Sequence, residues 1–168
     1  MIYKDTDTGE AFLSRDSVRW DGVKPEVKQI AAWIEQYTER ITGTDRYITS
    51  ARRSIAEQQA AQDHLLTHYG QEYYNSVYQH QGQDVATMPH VEGRAVDRQY
   101  VDDRQILNVY NAINQAYKRE LTEPLGYTPS SLIVVEGGNC IHIQIPRQIP
   151  DSKAYMNTVK EIIVNLTT

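Results

Sequence analysis

Two histidines and one aspartate stand out for what their types could do together. His90 and Asp97 bound the run His90-Val-Glu-Gly-Arg-Ala-Val-Asp97, and His142 follows in Glu136-Gly-Gly-Asn-Cys-Ile-His-Ile-Gln144. Two nitrogens and one oxygen make the donor set that zinc takes in sites that leave a coordination position open for water. Each of the three, taken singly, reads more simply as a solvent-exposed polar residue. The chemistry depends on whether the chain brings them together.

The local pattern says how it would. In an unbroken strand His90 and Asp97 would lie on opposite faces, because side chains alternate with a period of two and the spacing is odd. A bend between them removes the conflict, and Gly93 makes one at the least steric cost. Beyond it Ala95 and Asp97 share a face, with Arg94 and Val96 on the other. On the later strand Ile141, Ile143 and Ile145 form an apolar face, leaving His142 and Gln144 to the opposite side.

The surrounding elements follow from periodicity and punctuation. Residues 25–41 read as an amphipathic helix opened by Pro25, carried by Val27, Ile30, Ala31, Ile34 and Ile41, and stopped by Gly43. A short strand covers Arg46 to Ser50. Ser54-Ile-Ala-Glu57 is a capping-box sequence, opening a helix that runs through Leu65, Leu66, Tyr69 and Tyr73 to about Tyr78. A polar loop from His80 to Pro89 leads to the first histidine. Gly93 to Val101 reads as extended, and Asp102 or Asp103 as the cap of a helix through Ile106, Leu107, Tyr110, Ile113 and Tyr117. Leu132–Glu136 and Cys140–Ile145, joined through Gly137-Gly138-Asn139, form a hairpin that Pro146 ends. Ser152 caps a last helix through Tyr155, Met156, Val159, Ile162 and Ile163. The expectation is one α+β domain over residues 1–168, a small and mostly antiparallel sheet flanked by helices.

The pattern H-x-x-G-x-A-x-D followed by an I-H-I strand resembles the zinc D-alanyl-D-alanine carboxypeptidase family, including its phage-encoded L-alanyl-D-glutamate endopeptidases. Upstream, Tyr47-Ile-Thr-Ser-Ala-Arg-Arg53-Ser is similar to that family's I-T-S-G-Y-R-S strand and turn. Downstream, Leu132-Ile-Val-Val-Glu136 through His142-Ile-Gln resembles the phage branch's L-I-Y-E … W-V-H-V-S. Order and spacing agree over roughly residues 25–146. The resemblance implies a hedgehog/DD-peptidase-like fold in which His90, Asp97 and His142 ligate Zn2+. It places Arg53 on the arginine that grips a substrate carboxylate, a task for a planar bidentate fork. Arg52 is adjacent, and Arg53 alone fits the register.

Two positions depart from the family pattern. Met88 stands where a serine is common, two residues before the first ligand. Asn139 stands where well-studied members carry the general base, and an amide cannot take a proton from water. Glu136, six residues before His142 as in the phage-type pattern, is the nearest substitute base. The implied activity is zinc-dependent hydrolysis of a peptidoglycan stem peptide by an endolysin or virion-associated protein. The alternative is a virion or binding protein that keeps the fold without turnover.

Bulk properties bound these readings. The chain has 168 residues and a formal net charge of −5, which disfavours a nucleic-acid partner. No stretch is apolar enough for membrane insertion and the N-terminus has no apolar h-region. A substrate outside the cytoplasm would therefore need another route: release by a partner such as a holin, or carriage by other virion proteins. Cys140 is the sole cysteine, which excludes an intrachain disulfide and a thiolate-rich zinc site. Its apolar strand favours burial over reactivity. Twelve tyrosines against one phenylalanine suggest half-buried rings with wet hydroxyls. His64 and His68 are spaced i, i+4, but no glutamate completes H-E-x-x-H and a solvated helix face is expected.

Overall fold

Short alternating segments build the sheet on which the candidate ligands stand. In the computed structural model, residues 1–42, 46–78, 84–99, 104–136 and 140–167 are described. Strands β1 (Ile2–Lys4) and β2 (Ala11–Leu13) pair as an N-terminal hairpin that the sequence reading did not anticipate. Helix α1 (Pro25–Thr42) follows, then β3 (Ile48–Ser50) and α2 (Ile55–Tyr78). Next come β4 (Ala95–Gln99), α3 (Arg104–Tyr117), a π turn over Lys118–Thr122, and a single turn, α4 (Glu123–Leu125). The chain closes with β5 (Ile133–Glu136), β6 (Cys140–Gln144) and α5 (Ser152–Thr167). The architecture is α+β, with two small antiparallel sheets. The larger one has the order β3-β4-β6-β5.

One face of that sheet decides its orientation. Ile48, Val96, Ile133, Ile141 and Ile143 are buried against α1, α3 and α5. Burying an aliphatic side chain of this size contributes roughly 1.5–3 kcal/mol, and a one-residue slip would turn all of them to the other side. Register is thereby held: Asp97, Glu136, His142 and Gln144 take the opposite face together, while Arg98 stays on the apolar face and donates to Tyr110. Asp97 pairs with His142, and His142 with Val134. Glu136, two residues beyond Val134, therefore shares the face of both ligands.

Several local expectations meet their geometry. The Ser54 hydroxyl accepts from the Glu57 amide at 3.1 Å, and the Glu57 carboxylate accepts from the Ser54 amide at 3.0 Å, the reciprocal capping box. Gly93 has φ +73° and supplies the bend between His90 and Asp97. Others need correction. Helix α2 buries Gln58 and Gln62 and leaves Leu66 and Tyr69 exposed, so its inward face is polar. It also carries a non-helical residue at Gly70. The last helix is capped by Asp151, which accepts from the Ala154 amide at 3.0 Å. Ser152 instead donates to Glu26 at 3.2 Å. Three tyrosines are fully buried with their hydroxyls paired internally: Tyr117 with Tyr155 at 3.0 Å, and Tyr110 accepting from Arg98 at 3.0 Å. The proposed caps Asp102 and Asp103 and the hairpin turn 137–139 lie outside the described residues. Among the described residues, no helix is long and apolar enough to cross a membrane.

Candidate metal centre

A bulge starts the site. Ile48 faces Arg98 while Ser50 faces Asp97, so β3 carries one more residue than β4 between these pairs. Such an insertion bends the strand and re-aims the residues beyond it. Here they are Ala51–Ser54, which pack against the His90 turn: the Arg53 amide donates to the His90 carbonyl at 3.1 Å. That turn is itself clamped. Buried Arg94 donates to the Ile145 carbonyl at 3.0 Å, to the Thr87 carbonyl at 2.7 Å and to Glu92 at 2.9 Å.

His90, Asp97 and His142 converge as a buried group that could hold a metal ion, their ligand atoms all within 4.8 Å of one another. Asp97 Oδ1 lies 3.0 Å from His142 Nδ1 and 3.1 Å from His90 Nε2. Donors at about 2.0–2.1 Å from a tetrahedral ion stand roughly 3.3 Å apart, close to both separations. Burial by itself would raise the Asp97 carboxyl, but its hydrogen bond with His142 helps to hold it well below the usual carboxylate range. Burial opposes a charge on His142, yet the hydrogen bond and negative charge of Asp97 lift it above the ordinary imidazole value. Burial pushes His90 down, so its ring is the neutral one.

The tautomer of His90 follows from its partner. Its Nδ1 lies 2.7 Å from the Ala51 carbonyl, which only accepts, so Nδ1 carries the proton. Nε2 is then a bare lone pair, buried and without a hydrogen bond among the described residues. It faces a carboxylate oxygen, an approach that does not meet hydrogen-bond geometry. Two lone pairs at this distance repel, and a cation between them turns repulsion into ligation. His142 is prepared in the same manner: its Nε2 lies 2.9 Å from Gln144 Oε1, which orients the ring so that Nδ1 points at Asp97. The residues present fit a divalent cation, with a backbone carbonyl and a glutamine as the outer partners that lock ligand tautomers.

Both remaining candidates reach the same cleft. A hollow of about 230 Å³ is lined by Arg53, Gln58, Ala61, His64, Leu65, His90, Asp97, Glu136 and His142, with α2 forming one wall. Glu136 is half-buried, 3.8 Å from His142 Nδ1. Burial and the charge of Asp97 push its carboxyl up to about 7. Arg53 donates to Asp97 Oδ2 at 3.2 Å and to Gln58 at 3.0 Å. Its guanidinium thus braces the ligand carboxylate while keeping donors for another anion. Arg52 lies apart, over Gly22.

Sequence reasoning missed Gln58, Gln144, the Ala51 carbonyl and the placement of His64. His64 is exposed, as expected of a solvated helix face, yet it lines the cleft. Gln144 had a signal, since it stands two residues after His142 and shares its face. Met88 is buried, and Asn139 lies outside the described residues. Asp97, Glu136 and Cys140 form a second, overlapping group of possible ligands, but burial pushes the Cys140 thiol up, away from the thiolate a metal needs. The chain matches no protein-family model and no curated protein.

Proposed function

We propose that the protein is a zinc-dependent peptidase that hydrolyses a peptidoglycan stem-peptide bond, as a phage endolysin or virion-associated enzyme. The observation that carries the metal half of this reading is the bare, buried Nε2 of His90 opposite the Asp97 carboxylate. The peptidase half is supported by a half-buried carboxylate and a guanidinium sharing one cleft with those ligands. The donor set of two imidazoles and one carboxylate is that of catalytic zinc, and His90, Asp97 and His142 would hold it. Bound there, the ion would polarise the scissile carbonyl and make a water molecule easier to deprotonate.

The chain's own residues account for the rest. Glu136 faces the ligands and takes the proton of the attacking water, then returns it to the leaving amine nitrogen. Its half-buried place beside the ligands puts the carboxylate within reach of both halves of that transfer. Arg53 anchors a substrate carboxylate with the donors left over from Asp97 and Gln58. Helix α2 forms one side of the cleft.

Glu136→Gln tests the mechanism. The variant should fold and bind metal, yet lose cleavage of purified peptidoglycan by about a hundred- to ten-thousand-fold. Equal cleavage by the variant would place the base elsewhere. A metal-loaded wild type that cleaves no peptidoglycan in a broad panel would favour a non-catalytic binding protein.

A further inference from the structure

Arg53 lines two pockets. Besides the metal-ligand cleft, it borders a hollow of about 320 Å³ whose other lining residues are Arg19, Asp21, Arg52 and Ser54. Backbone structure places the arginines side by side, because the Arg52 amide donates to the Arg19 carbonyl at 2.9 Å. Two of the three guanidinium groups have partners. Arg19 pairs with the exposed carboxylate of Glu57, and Arg53 with Asp97. Arg52 is different: among the described residues no side-chain hydrogen bond or ion pair engages it. Its guanidinium rests over Gly22, where a Cβ would stand 1.9 Å from Nη1. The missing side chain at Gly22 is what gives it that seat.

Asp21, Glu57 and Asp97 offset the three arginines in charge, so what the hollow offers an anion is the unengaged fork of Arg52 on a chain whose formal net charge is −5. An overall acidic protein repels anionic ligands at long range, so a guanidinium not already paired selects where one can settle. Planar forks favour carboxylates, which they grip through paired hydrogen bonds.

We propose that this hollow is a second anion subsite, which takes a carboxylate that the peptide substrate carries in addition to the one at Arg53. The inference rests on the peptidase reading above. Because Arg53 walls both the cleft and the hollow, the second carboxylate belongs to one of the residues flanking the bond that is cut. Arg52 is the principal contact, Arg19 is its flank, and Arg53 is the wall shared with the cleft. The preferred substrate is then a peptide with two carboxylates in close succession.

The test uses peptides that differ only by Glu or Gln at each of those positions. Binding is measured by calorimetry on Glu136→Gln protein, which keeps both pockets, and hydrolysis is followed on the wild type. A charge-assisted hydrogen bond of the usual strength gives the Glu peptide about a tenfold tighter dissociation constant. Arg52→Gln should bring the two peptides to within about twofold, and Arg19→Gln should narrow the gap. Arg119→Gln, an exposed charge on the π turn, should preserve it. Equal binding of both peptides to the intact pocket, or an undiminished preference in Arg52→Gln, overturns the subsite. An Arg52-dependent preference without hydrolysis supports the subsite and overturns the peptidase reading. Hydrolysis without preference does the reverse.

Discussion

At the scale of single residues, the site turns on which nitrogens are bare. The Ala51 carbonyl dictates the proton on His90 Nδ1, and Gln144 occupies His142 Nε2, so both rings present their other nitrogen to Asp97. His90→Ala, Asp97→Ala and His142→Ala should each strongly reduce a zinc content of about one per chain, since each removes one of three protein ligands. Full zinc retention in His142→Ala, measured by elemental analysis, would refute the assignment. Gln144→Leu keeps every ligand but frees the His142 ring to turn or change tautomer. Its zinc affinity should fall by about ten- to a hundredfold in competition with a chelator. An unchanged affinity would mean that Gln144 is only packing. Because Asp97 raises His142, binding must displace a proton from that ring, and affinity should weaken as pH falls.

Among the elements, the turn that carries His90 is the most constrained. Gly93 adopts φ +73°, and a Cβ there would stand 2.0 Å from the Gly22 carbonyl oxygen. The Gly93 carbonyl accepts from the Lys24 amide at 2.7 Å, which ties the turn to the start of α1. Gly93→Ala therefore meets both a left-handed backbone and a backbone collision. The left-handed conformation alone costs on the order of 1–3 kcal/mol. The variant should melt lower and bind zinc more weakly, because the turn must shift and His90 with it. A variant with unchanged melting and zinc affinity would show that the bend has room. The sequence pointed to this glycine correctly, since odd spacing between ligands on one strand demands a bend. It did not reveal the Gly22 carbonyl beneath it, because the two are far apart in the chain.

For the molecule as a whole, acid stability should report a pair remote from the site. Lys28 is buried and its ammonium lies 2.5 Å from Asp5 and 2.8 Å from Asp7, joining α1 to the N-terminal hairpin. Burial alone would raise Asp5, but hydrogen bonds from Lys28 and Thr8 lower its carboxyl from 3.8 to about 2. A carboxyl depressed in the folded state adds stability that is present above its unfolded value and is lost as pH falls through the folded one. The window here runs from about pH 4 down to about pH 2. Lys28 is raised, so its contribution fades only in strong alkali and does not blur that window. Asp5→Asn should cost about 2–4 kcal/mol at pH 7, since it weakens the pairing of a buried ammonium. The gap to wild type should close near pH 2, as followed by denaturant unfolding. An equal gap at both pH values would assign the loss to shape and not to charge.

What the sequence determined by itself is what short-range physics encodes. The alternation Ile141, Ile143, Ile145 turns His142 and Gln144 to one face, Gly93 permits the bend, and Ser54 with Glu57 opens α2. Each depends on residues a few positions apart, whose relation is set by backbone period and local hydrogen bonding. The α+β class follows from the same signals. Only the tertiary structure decided the matters that join distant segments. It paired Asp97 with His142, brought Arg53 over the Asp97 carboxylate through a bulge in β3, and set α2 across the sheet with Gln58 and Gln62 inward. The polar inner face of α2 explains why its leucines and tyrosines misled a reading by periodicity: it covers a cleft and not a core. The N-terminal hairpin was likewise invisible, since strands of three residues carry almost no period and are held by Lys28 and by stacking of Tyr3, Phe12 and Trp20. A side chain's partner across many residues depends on sheet register and helix placement, and those are settled by the burial of the whole apolar face at once.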